Sequence, residues 1–183
     1  MCQILQVKAG IDMNRTIQTI LNRTSNRDYT DKKVPLSKLN IILEAGKMAP
    51  SAMNVQRCNI LAIRTKKYVE KLRALGFNLR GRDCFYNANT LILVYGPKED
   101  GFTVQDASCI LENMFIAATA LNIQSCWINQ VEDMFQLPEG KKVKKLLGIP
   151  EDARIVGTCV VGYSKDGKNP LPKPRKEDFV RIK

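Results

Sequence analysis

Residues 104–122 read VQDASCILENMFIAATALN. Ala107, Ile110, Leu111, Met114, Phe115, Ala118 and Leu121 recur at spacings of three and four, which predicts an α-helix with a broad apolar face. Ala117 and Thr119 make the rest of its surface nearly apolar, so this helix is expected to be buried, in part at a subunit contact. Around it lie continuous apolar runs. LILVY at 91–95 and IVGTCVVGY within Arg154–Tyr163 read as strands covered on both faces. Asn59–Thr65 is a further strand candidate, and Ser125–Ile128 is short and extended. Gly96, Pro97 and Gly101 are expected to break the 91–95 strand.

The remaining helices come from the same spacing rule. Arg15–Arg23 places Ile17, Ile20 and Leu21 on one face. A second helix follows Pro35 and Leu36, with Ser37 as its N-cap and Leu39, Ile42, Leu43 and Gly46 facing inward, until Pro50 ends it. Lys66–Leu75 is a short helix closed by Gly76, and Glu139–Leu147 is a basic one closed by Gly148 and Pro150. Thr24–Val34 is a polar loop, and Gly76–Asn89 has little periodicity. Helices alternating with strands imply an α/β or α+β sandwich in layers. The chain reads as one domain over 1–183, with an arm at 1–12 and an extended tail at 164–183.

Composition narrows the chemistry. The 183 residues hold 29 Lys and Arg, 18 Asp and Glu, and no His, a formal charge of +11. Without His there is no Ser-His-Asp triad, no Cys-His pair and no imidazole base, so chemistry falls to a cofactor or to other side chains. The six Cys, at 2, 58, 84, 109, 126 and 159, stand too far apart for a CxxC pair. We read them as reduced thiols of a cytoplasmic protein, and we expect no metal site. The first residues carry neither a basic start nor a long apolar run, and no stretch is long enough to span a membrane. The positive charge admits three readings: a polyanionic partner, small anionic ligands such as phosphates, or a solvated surface.

Four constellations could carry function. Arg23-Thr24-Ser25-Asn26-Arg27 sets two guanidiniums and two hydroxyls just after a helix, able to hold a phosphate or simply to form a solvated loop. Ala49-Pro50-Ser51-Ala52-Met53-Asn54-Val55-Gln56 is a turn of small and amide residues. It could approach a flat heterocycle and bond its edge, or only terminate the preceding helix. Ser125-Cys126-Trp127-Ile128 carries the lone Trp, either lining a cofactor or packed in the core. Lys173-Pro174-Arg175 puts two cations on one side of an extended tail, to close over a phosphate or to stay solvated. GxGxxG is absent. Gly76…Gly81 and Gly157…Gly162 lack the Lys-Ser/Thr of a P-loop, and the second pair reads as close backbone approach within a strand.

Taken in order, these segments resemble the FMN-dependent nitroreductase family. Arg23 to Tyr29 matches R-[RHT]-S-x-[RK]-x-[FY], and Ala49 to Gln56 matches A-P-S-A-x-N-x-Q. The long helix from Asp106, with Glu112-Asn113, leads into Ser125–Ile128, and Val156–Gly162 with Tyr163 precedes Lys173-x-Arg175. The resemblance spans about Thr16 to Val180. It implies a nitroreductase-like fold, a central mostly antiparallel sheet flanked by helices, built as an intertwined homodimer with FMN at the subunit interface. It implies that Arg23, Thr24, Ser25 and Arg27 hold the FMN phosphate and ribityl chain, with Lys173 and Arg175 opposite. Pro50, Ser51, Ala52, Asn54 and Gln56 would come from the partner subunit, and Cys126, Trp127 and Ile128 would run beside the ring. Two positions depart from the pattern: Arg57 stands where Pro often follows the Gln, and Asn122-Ile123-Gln124 where Gly is common.

The implied activity is ping-pong transfer of hydride from NAD(P)H, through flavin N5, to a small aromatic acceptor such as a nitroaromatic or a quinone. Such transfer needs no side-chain base, so a chain without His is compatible with it and no catalytic residue is named. The same fold could instead serve free-flavin reduction or reductive dehalogenation, or bind flavin without turnover. A nucleic-acid-binding module would need a recognition signature and stacking aromatics that the sequence lacks.

Overall fold

The computed structural model describes residues 14–168 and 170–183. The arm at 1–12 lies outside the described residues. Ten elements follow in order: α1 (Arg15–Asn22), α2 (Leu36–Lys47), β1 (Asn59–Ile63), α3 (Lys66–Arg80), β2 (Thr90–Pro97), α4 (Thr103–Ala120), β3 (Gln124–Ile128), α5 (Val131–Gln136), α6 (Pro138–Leu146) and β4 (Ala153–Gly162). The four strands form one antiparallel sheet in the order β1-β2-β4-β3.

The sheet is buried on both faces, as its apolar runs require. On one face, Leu91, Leu93, Cys126, Ile128 and Val160 pack against Val69, Leu72 and Leu75 of α3, Met134 and Phe135 of α5, and Val143 of α6. On the other, Ile92, Val94, Cys159 and Val161 meet Leu39 and Ile42 of α2 and Leu111, Met114 and Phe115 of α4. The layers are therefore helix, sheet, helix. The long apolar helix is α4, lying across β4 as its periodicity demands, although Val104 and Cys109 remain exposed on its outer side.

Four expectations need correction. The second helix starts one residue before Ser37: Pro35 is the N-cap, and no side chain caps it. Lys66–Leu75 does not stop at Gly76. Gly76 is a close-approach site, where an added Cβ would lie 3.2 Å from Met134 and 3.4 Å from Cys84. The helix runs on to Arg80 and is closed by Gly81, whose φ of 69° is the left-handed value that ends helices. Gly96 and Pro97 do not break β2; they still pair with Arg154 and Ala153 beyond a bulge at Val94/Tyr95. Helix α5 was not foreseen, being a six-residue segment too short to show a clear period.

The departure at 122–124 also finds its reason. Asn122 ends α4 at φ 55°, with its N–H donating to the Thr119 carbonyl, and the Ile123 N–H donates to Ala118. Asn is the residue that best replaces Gly in this conformation.

Candidate functional site

The Arg23–Tyr29 segment leaves α1 in extended conformation and is tied to the sheet by backbone. Ser25 forms a parallel bridge with Ser125, the Asn26 N–H donates to the Ser125 carbonyl at 2.9 Å, and Tyr29 bridges Ser164. The Tyr29 ring is fully buried against Gly162, where a Cβ would lie only 2.8 Å away, so that glycine exists to admit the ring. The Tyr29 hydroxyl donates to the Asn26 carbonyl at 3.0 Å, and the Asn26 amide donates to the Asp28 carbonyl at 2.7 Å. Burial first, then Cys126 and Cys159, pushes the Tyr29 phenol well above its ordinary range, so it acts as a neutral anchor.

In the extended segment residues 23, 25 and 27 alternate with Asn26, which puts Arg23, Ser25 and Arg27 on the side opposite the buried Asn26 side chain. All three act on the Cys126 thiol, Ser25 through a hydrogen bond and the two guanidiniums through their charge alone. Burial raises its pKa, and Arg27, a hydrogen bond with Ser25, and Arg23 each oppose the rise. Arg23 Nε also lies 3.7 Å from Glu112 Oε1 on α4, and Thr24 is half-buried beside them. The Ser25 hydroxyl and the charges of Arg23 and Arg27 thus bear on the start of β3. The Ser125 hydroxyl is buried there, and among the described residues it has no hydrogen-bond partner.

Along β3, Cys126 and Ile128 face the core while Trp127 points to the α4 side. Its ring lies over Gly157, where a Cβ would come within 2.6 Å, and 6.2 Å from the Phe115 ring. Close approach within the strand is therefore what Gly157 supplies. The Trp is only partly core, with 37% of it exposed.

The Ala49–Gln56 turn is built differently. A short turn of 3-10 helix, Ala52–Asn54, carries left-handed backbone at Met53, Asn54 and Gln56, with φ of 55°, 54° and 55°. For a non-glycine residue this costs about 1–2 kcal/mol each, less for Asn. The Gln56 N–H donates to the Ser51 hydroxyl at 3.0 Å, and the Gln56 amide donates to Asn54 Oδ1. What fixes the turn to the body is Arg57. Its guanidinium donates to Asp106 at 3.0 Å, to both oxygens of Asp100 at 2.6 and 2.7 Å, and to the Ala52 carbonyl at 3.1 Å. Asp106 in turn accepts the Ala52 N–H at 2.9 Å. Arg57 and Asp106 side chains are each 5% exposed, so this is a buried charge network. Cys58 beside it is pushed up to about 11, by burial and then by Asp106.

A cavity of about 370 Å³ opens beside the turn, lined by Pro50, Ser51, Gln56, Cys58 and Asp106 with Leu43, Ile60 and Ile110. Arg23, Ser25 and Arg27 do not line it. Asp106 holds the turn and Glu112 pairs with Arg23; six residues apart on α4, they are about 9 Å apart along the axis and on different faces. Within one chain the two motifs therefore flank α4 separately. Lys173 and Arg175 are exposed on the extended tail and, among the described residues, make no hydrogen bond or ion pair. Among those residues no group of Cys, Asp and Glu could hold a metal ion, and no helix is long and apolar enough to cross a membrane.

Arg57 and Asp106 are the residues that sequence reasoning left without a role. The available signal was a lone carboxylate in the first turn of an otherwise apolar helix, where it needs a buried cation.

A layered antiparallel fold with a basic, hydroxyl-bearing segment bridged to a strand defines a class, and comparison gives its name. The model of the nitroreductase family matches residues 20–80 and 76–163. The chain belongs to the nitroreductase family. It is 31% identical over 163 residues (86% of this chain, 90% of the relative) to an Archaeoglobus fulgidus protein provisionally named NADH dehydrogenase/NAD(P)H nitroreductase. An FMN reductase (NADPH) of Bacillus subtilis is 27% identical, with 88% and 72% of the two chains covered. The crystal structure of a Bacteroides fragilis nitroreductase with bound FMN superimposes with a TM-score of 0.86 at 33% identity, covering 93% of this chain and 99% of that one.

Proposed function

We propose that this chain binds FMN and transfers hydride from NAD(P)H to small electron-poor aromatics, nitro compounds or quinones. The observation that carries this reading is that the Arg23–Arg27 segment is bridged to β3 at Ser25, with Arg23, Ser25 and Arg27 at alternate positions of its extended chain. Two guanidiniums and a hydroxyl suit a phosphate monoester and the polyol chain next to it. The buried Ser125 hydroxyl leaves a further group to be satisfied at the same place. The donor set therefore fits FMN. When bound, FMN would supply the two-electron chemistry, and the chain would supply binding and orientation.

Arg23, Arg27 and Ser25 would hold the phosphate end, with Thr24 beside them. Cys126, Trp127 and Ile128 would border the ring through the β3 backbone. Pro50, Ser51, Ala52, Asn54 and Gln56 would reach the ring from a second subunit. The separation of the two motifs across α4 supports that arrangement, because a two-fold interface joins each half-site to its complement. So does α1, which has no buried residue and leaves Ile17 and Ile20 exposed at 44% and 43%. Lys173 and Arg175 would close over the phosphate when the tail packs against a partner.

The test is spectroscopic. Purified protein should carry or take up FMN, and the bound flavin should bleach under NADH or NADPH and recover on adding a quinone or nitroaromatic. Protein that takes up no FMN would overturn the proposal. The Bacillus subtilis FMN reductase relative favours a second reading, in which free flavin is the acceptor. Faster turnover with excess free FMN than with either aromatic acceptor would select it.

A further inference from the structure

We infer that Arg57 is a positioning residue, which sets the face that the Ala49–Gln56 turn presents to a flavin ring. The inference rests on the reading that this turn lines a flavin site. Both peptide groups flanking Ala52 are held: its N–H by Asp106, its carbonyl by Arg57. Among the other hydrogen bonds of the turn, the Ala49 N–H donates back to Gly46 of α2, while those from Asn54 and Gln56 to Ser51, from Val55 to the Ala52 carbonyl and from Gln56 to Asn54 stay within the turn. The link from the turn to α4 and to the residues before it runs through Arg57, Asp106 and Asp100. The Phe102 ring centroid lies 5.4 Å from the guanidinium.

The residues immediately after Ala52 are the ones with left-handed backbone, Met53 and Asn54. Their direction is inherited from the orientation of the Ala52 peptides. A planar guanidinium is what this task needs. Its three nitrogens donate at once, Nε to Asp106, Nη1 to Asp100 and Nη2 to the Ala52 carbonyl. A lysine ammonium keeps the charge next to the two carboxylates but cannot span the three acceptors.

Arg57→Lys is therefore the deciding variant, since it preserves charge compensation and should fold. Two readouts separate positioning from bulk stability. The first is hydrogen exchange at the Ala52 amide, which should speed up in the variant while the β2 and β4 amides stay protected. The second is FMN affinity by quenching of flavin fluorescence, which should weaken by about tenfold as the flavin-facing turn loses its fixed orientation. Asp106→Asn, which keeps an acceptor for the Ala52 N–H but loses the charge, should fall between the two. A folded Arg57→Lys protein with unchanged Ala52 exchange overturns the inference. So does faster exchange with unchanged FMN affinity. A wild-type chain that takes up no FMN overturns the functional reading itself, before any variant is compared.

Discussion

Two irregular segments of this chain carry most of its candidate ligands, and they are held in opposite ways. Arg23–Tyr29 is fixed by main-chain bonds to Ser125 and Tyr86, by a bridge from Tyr29 to Ser164 and by one buried aromatic ring. Ala49–Arg57 is fixed by one buried guanidinium between two carboxylates. Main-chain bonding distributes the load over several groups that no single substitution removes. The ion network concentrates it in Arg57, whose loss would leave Asp106 charged and unpaired in an apolar setting. The first segment should therefore tolerate loss of any one polar side chain, and the second should not.

The largest effect should come from Arg57→Met. Leaving two carboxylates without their cation should cost about 3–5 kcal/mol in urea unfolding, and a loss below about 1 kcal/mol would erase the contrast between the segments. Gly162→Ala attacks the other segment through its ring: a Cβ 2.8 Å from Tyr29 should cost about 1–3 kcal/mol as the ring is displaced. Tyr29→Phe keeps the ring and removes one hydrogen bond, so about 0.5–1.5 kcal/mol is expected, with the segment still in place. The last effect appears only at alkaline pH. Cys58 is raised in the folded chain to about 11 from an ordinary 9.0, so its contribution is fully present below about pH 9 and is lost as pH rises through about 11. Cys58→Ser should flatten that part of the stability curve, and an unchanged slope would show that another group produces it.

The same contrast explains what could be read in the sequence. The α4 helix, β2 and β4 were legible because a single burial pattern repeats over many residues in each. The Arg23–Arg27 cluster was legible because its ligand-type side chains sit within five residues. Arg57 was not, because its partners Asp100 and Asp106 are 43 and 49 positions away and meet it only in the fold. The stop of α3 was misplaced for a related reason. Gly76 and Gly81 look alike in sequence, and only packing against Met134 and Cys84 shows that the first is a contact site and the second a cap. Separation of the two motifs across α4 was likewise invisible to linear order.

The central claim is that Arg23, Ser25 and Arg27 form the phosphate end of an FMN site. It is tested most directly by titrating FMN into wild-type protein and into Arg27→Ala, following flavin fluorescence. Wild type should quench the flavin at one FMN per chain. The variant should bind more weakly by about 10- to 100-fold, the loss of one charged hydrogen bond to a phosphate. Equal affinity of the two proteins, or no quenching by either, would contradict the assignment.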